Sequence, residues 1–135
     1  MLLLLIVVGC DLPRDPDGTL DRIEADRSFR VGLIANGGDA RGAAEQAALI
    51  DRIARRTAAR PVIRHGSAEP LLAELEAGGL DVVIGHFDGA SPWSRLVTLT
   101  DPIRDYGGHG LVAALPNGEN RWIMLVERET RALSR

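Results

Sequence analysis

The chain has 135 residues, of which 45% are hydrophobic, 26% charged and 4% aromatic. This is room for one domain with a core built mostly from Leu, Ile, Val and Ala, and it needs neither metal nor disulfide to hold it. Sixteen basic residues face 19 acidic ones, for a formal charge of -3, and no basic patch stands out, so nucleic acid is not an expected partner.

Residues 2–8 form an unbroken apolar run, far shorter than the ~20 residues that span a bilayer as a helix. The run ends in Val7-Val8-Gly9-Cys10. A short apolar run closed by small residues is the pattern of a secretory signal, and this ending resembles the bacterial lipobox. The resemblance implies cleavage before Cys10, a diacylglycerol on its thiol, and a protein held in the periplasm by that lipid. No Lys or Arg precedes the run. The other reading of the same residues is a buried first strand with a core cysteine. Residues 1–9 are thus expected to be a signal peptide. Residues 10–18, rich in Pro, Asp and Gly, are expected to be a tether, and residues 19–135 the domain.

Along that domain, residues 19–27 place Leu20 and Ile23 on one side, which predicts a short helix with Thr19 as its N-cap. Residues 29–34 alternate Phe29, Val31 and Leu33 against Arg30, Gly32 and Ile34, the pattern of a strand. Residues 35–39 break it. From 40 to 58, Ala43, Ala47, Ile50 and Ala54 recur at helical spacing beside Leu49 and Ile53, predicting an amphipathic helix. Residues 62–65 predict a short strand. Residues 69–77 predict a helix that buries Leu71, Leu72 and Leu75 and ends at Gly78 and Gly79. Residues 80–85 are almost continuously apolar, as in a strand covered on both faces. A loop over 86–94, a segment over 95–100 and a turn at Asp101-Pro102 come next. A strand over 110–115, a sharp turn at Pro116-Asn117-Gly118 and a helix over 119–133 complete the chain. Strand and helix alternating in this way imply an α/β fold with a mostly parallel sheet.

The stretch 71–106 resembles the extracellular solute-binding proteins that serve polar amino-acid transporters. Leu71-Leu72-Ala73-Glu74-Leu75-Glu76-Ala77-Gly78 matches the family's helix and Gly-rich turn, and Asp81-Val82-Val83-Ile84-Gly85 its Asp and apolar strand. Residues 95–100 and Asp101-Pro102-Ile103 match the segment and turn that follow, and residues 20–23 and 29–32 the opening helix and strand. The resemblance implies a single lobe of a type II periplasmic-binding-protein-like fold, with helices flanking its sheet. Full-length members cross into a second lobe after the strand that ends near Leu115, whereas this chain turns at residues 116–118 into a helix. Amino-acid-binding members also carry an Arg where Trp93 stands, and an aromatic in the loop where this chain has Asn36-Gly37-Gly38-Asp39.

In open α/β sheets ligands gather at the carboxyl ends of the strands, which selects the loops 35–39, 65–67 and 86–95. Gly37 and Gly38 expose backbone N–H groups near a helix start, which suits an anion, or form a plain turn, and Asn36 and Gly37 are the candidate ligand-binding residues of this loop. His86, Asp88, Ser91, Trp93 and Arg95 lie in one loop. Arg95 has the geometry to pair a carboxylate and Trp93 the ring to cover a ligand, or Trp93 caps the core and Arg95 is solvated. The spacing of His65, His86 and His109 does not call for a metal, and no cofactor is expected. The expected function is a lipid-anchored solute-binding-protein-like domain, not an enzyme. It would bind an amino acid or small carboxylate and work with a transporter permease. The alternatives are an interaction protein that keeps the lobe but contacts a membrane complex, and, more remotely, an enzyme using His86 and Asp88.

Overall fold

The computed structural model describes residues 15–35, 39–87, 92–103 and 110–135. Its elements are α1 (Thr19–Asp26), β1 (Ser28–Ile34), α2 (Ala40–Thr57), β2 (Arg60–Gly66), α3 (Ala68–Glu76), β3 (Val82–His86), a 3-10 turn (Pro92–Arg95), β4 (Val97–Leu99), β5 (Leu111–Pro116) and α4 (Asn120–Leu133). The strands form one sheet in the order β2-β1-β3-β5-β4. β1 pairs in parallel with both β2 and β3, while β5 pairs antiparallel with β3 and with β4. β5 alone therefore runs against the others, and the sheet is mostly parallel.

Side chains alternate across this sheet because successive strand residues point to opposite faces. On one face Phe29, Val31, Leu33, Val82, Ile84, Leu111, Ala113 and Leu115 meet α1, α2 and α4. On the other, Val83, Val97 and Ala114 meet Leu71, Leu72 and Leu75 of α3. β3 lies at the centre with Val82, Val83, Ile84 and Gly85 all buried. Gly85 is required there by close approach, since a Cβ at this position would fall 2.6 Å from Ile34 Cβ.

The first helix starts differently from expectation. Thr19 is its first helical residue, and the cap position falls to Gly18, in the left-handed region at φ 59°, which has no side chain to offer. The acceptor comes from the far end of the chain. Glu119 is fully buried and its two carboxylate oxygens accept the N–H groups of Asp17 (2.7 Å) and Thr19 (2.8 Å). A carboxylate at a helix N-terminus satisfies orphan donors and faces the positive end of the helix dipole. Arg121 N–H in turn donates to Asp15 Oδ1 at 2.8 Å. Residues 15–18, assigned to the tether from composition, are thus docked on the start of α4.

Asp81 ties the layers together just before β3. Its carboxylate is 2% exposed and accepts the backbone N–H of Arg30 (2.7 Å), Arg30 Nε (3.2 Å) and Nη2 (2.8 Å), and Arg22 Nη2 from α1. The side-chain hydrogen bond to Asp81 raises the Arg30 pKa above its ordinary value. The Asp81 carbonyl accepts Trp122 Nε1–H of α4 at 2.8 Å, and the Trp122 ring meets Phe29 edge-on at 6.3 Å.

Two stability measurements follow from this packing. Val83→Asp places an unpaired charge among Leu71, Leu80 and Ala114, at a cost of several kcal/mol, about the whole net stability of a small domain. The variant is expected to lack a cooperative thermal transition, and melting near the unchanged chain would place β3 on the surface. Asp81→Ala strands the Arg30 N–H and two half-exposed guanidinium groups, so it should lower stability by about 3 kcal/mol in urea unfolding. Asp81→Asn keeps an acceptor for that N–H and should cost clearly less.

Candidate functional site

The parallel strands β1, β2 and β3 all end on one side, at Ile34, Gly66 and His86. The N-termini of α2 and α3, capped at Asp39 and Ser67, open on the same side. Asp39 accepts the N–H groups of Arg41 (3.0 Å) and Gly42 (3.1 Å), so the side chain that starts α2 occupies two donors an anion would otherwise meet.

Behind this rim sits Gln46, which the sequence reading passed over as a helix interior residue. It is 5% exposed, and its Nε2 donates to the carbonyls of Ile34 (3.1 Å) and Ile84 (3.2 Å). One amide therefore joins the ends of β1 and β3, from which the loops 35–39 and 87–91 depart. A polar residue amid Gly42, Leu49 and Ile53 on the buried stripe of α2 was the available signal. Glu45 lies beside it, with a buried Oε1 that has no hydrogen-bond partner among the described residues.

Of the residues singled out from sequence, Cys10, Asn36, Gly37, Asp88 and Ser91 lie outside the described residues. His86 is exposed at the end of β3, on the rim. Trp93 is half-buried and packs against the cluster of Leu71, Leu72 and Leu75, so the ring covers the core on the α3 side. Arg95 is exposed at the opposite end of the sheet. Its carbonyl accepts Asn117 Nδ2 at 3.4 Å, and β4 begins two residues later with Val97 opposite Pro116. His86 is opposite Leu111 at the other end of β5. At the usual rise per strand residue, His86 and Arg95 are separated by about 17 Å along that strand. These two side chains therefore lie toward opposite ends of the sheet and not in the one cluster that their sequence spacing had implied.

A cleft of about 270 Å³ occupies that opposite end, lined by Asp17, Arg22, Arg30, Glu76 and Asp81 among others. Its arginines hold Asp81, which makes it a structural ion network. Among the described residues no His, Cys, Asp and Glu side chains converge to hold a metal, and no helix is long and apolar enough to cross a membrane.

No protein-family model matches the sequence, and no curated protein matches it. Solved structures do match the fold. The arginine-bound form of domain 1 from TmArgBP superposes with a TM-score of 0.70 at 22% identity, covering 84% of this chain and 98% of that one. A point mutant of the same arginine-bound domain gives 0.71 at 22% identity, covering 84% and 97%. The chain therefore has a mixed α/β fold of the single-domain periplasmic-binding-protein type, as the residues of the third strand and its flanking turns had implied.

Proposed function

We propose that the chain is a solute-binding-protein-like domain that takes an amino acid or small carboxylate at the strand-end rim. The observation that carries this reading is the fold shared with domain 1 of TmArgBP, which is known in an arginine-bound form as a separate domain. A single lobe encloses a ligand from one side only, and small-ligand sites usually bury most of the ligand. Affinity is accordingly modest until a permease or other membrane partner covers the rim. Asn36, Gly37, His86, Asp88 and Ser91 are the ligand-binding residues in this reading. Arg95 is set aside, because its backbone lies at the far end of β5. The Val7-Val8-Gly9-Cys10 ending supports lipid anchoring on Cys10 and export to the periplasm, and the resemblance to receptors of polar amino-acid transporters supports a place beside an ABC-type uptake system.

Calorimetric titration of the full chain in mild detergent with arginine, other amino acids and small carboxylates tests the binding reading. One of these is expected to bind. His86→Ala should weaken it about tenfold, the equivalent of one hydrogen bond, and Arg95→Ala should leave it unchanged. No heat with any compound at millimolar ligand would overturn solute binding and leave the interaction-protein reading, which the apolar trough beside β2 favours. Anchoring has its own test. Labelled fatty acid should enter the unchanged chain but not Cys10→Ala, and an unlabelled wild type would end the lipoprotein reading.

A further inference from the structure

β2 is an edge strand whose outer side is unpaired among the described residues. Exposed edges of this kind are templates for pairing with another chain, and proteins usually blunt or cover them. This one carries Pro61 and the charges of Arg60 and Arg64, yet it leaves Val62 57% and Ile63 45% exposed, on opposite faces. Beside Ile63 runs an apolar trough of about 480 Å³ between β2 and α2, lined by Leu33, Ala43, Ala47, Ile50, Pro61 and Ile63 among others.

The backbone pattern of the edge is set by its pairing with β1. Arg60 N–H donates inward to the Arg27 carbonyl at 2.9 Å. By alternation Arg60, Val62 and Arg64 turn their backbone groups toward β1, while Pro61, Ile63 and His65 turn theirs outward. Pro61 thus sits where its missing N–H costs the β1 ladder nothing. It also removes one outward donor and restricts which registers an added strand can use.

We infer that this edge pairs with the same edge of a second copy, antiparallel, about a two-fold axis through Ile63. In that register each Ile63 exchanges both backbone hydrogen bonds with its mate, and each His65 N–H reaches the partner's Pro61 carbonyl. Charge selects the register. With Ile63 on the axis, Arg64 faces Val62 of the other copy and Arg60 faces Gly66, so no like charges stand opposite. Sliding the centre to Arg64 sets Arg64 against itself, and sliding it to Val62 sets Arg60 against Arg64, both destabilising. Glu74 holds the Arg64 guanidinium, meeting it at 2.7 and 2.6 Å, so the alkyl stem of Arg64 is left to cover the exposed Val62 across the axis. The two troughs become continuous over the paired Ile63 side chains. The interface is isologous, as two-fold contacts are, and its modest size gives a weak, concentration-dependent dimer.

Sedimentation equilibrium of the full chain in mild detergent should show a monomer–dimer equilibrium, weakened by about two orders of magnitude in Ile63→Glu, which sets two carboxylates against each other on the axis. Ile63 is half-exposed, and an unchanged thermal midpoint would show that this variant folds. In a second arm, Ile63→Cys should give a covalent dimer with a short bismaleimide. Met124→Cys, still more accessible on α4, and the unchanged chain with Cys10 alone should not. A chain that is monomeric throughout would overturn the inference, including the case in which residues 1–9 or a foreign strand occupy the edge. So would a dimer that survives Ile63→Glu, or one that crosslinks as well through Met124→Cys.

Discussion

The Asp81 carboxylate is the constraint on which the rest of the structure hangs. It is almost completely out of water, and burying a charge is tolerable only where partners compensate it. Its partners come from the helix before the first strand, from β1 backbone and side chain, and, through its own carbonyl, from Trp122 near the end of the chain. Fixing Asp81 therefore fixes the offset between β1 and β3 and the angle at which α1 and α4 lie on the sheet. That registration aligns the ends of β1 and β3 at the rim, where Gln46 can bridge both carbonyls with one amide. The ion network at one end of the sheet and the loops at the other are two ends of the same ladder.

Much of this was legible in the residues. The period-2 pattern around Phe29, the Ala-Leu-Ile stripe of α2 and the continuous apolar run before His86 each located an element within a few residues, because each is a burial pattern imposed by one period. The Asp ahead of the apolar run was visible as part of a resemblance, but its three-way contact with Arg22 and Arg30 was not, since those partners are 59 and 51 residues away. The reversal of β5 was also hidden. Its Leu-Val-Ala-Ala-Leu run fits either direction, because the burial pattern of a strand does not depend on the way the chain runs. The ends of α1 and α2 were legible to within one residue, although Arg27 and Ala58, where the two helices stop, are both left-handed without glycine.

The candidate site was less legible than the fold. Sequence distance suggested that residues 86 to 95 share one surface. In three dimensions the chain has travelled the length of β5 between them, leaving His86 on the rim and Arg95 beside Asn117. Trp93 packs against the α3 cluster, so at least part of its ring serves the core. Gln46 and Glu119 escaped notice for a common reason. A polar residue on an apolar stripe or at a helix start reads as surface until its distant acceptors or donors are in view.

Glu119 gives the domain a mechanical property. Residues 15–19 lie at the end of the sheet opposite the rim, where Glu119 and the Asp15–Arg121 bond fasten them to the start of α4. A pull on Asp15 is borne by these bonds. Behind them stand Trp122 and Asp81, so the load passes directly into the centre of the sheet. The rim lies at the other end of the sheet, so a pull on Asp15 reaches it only through the strands.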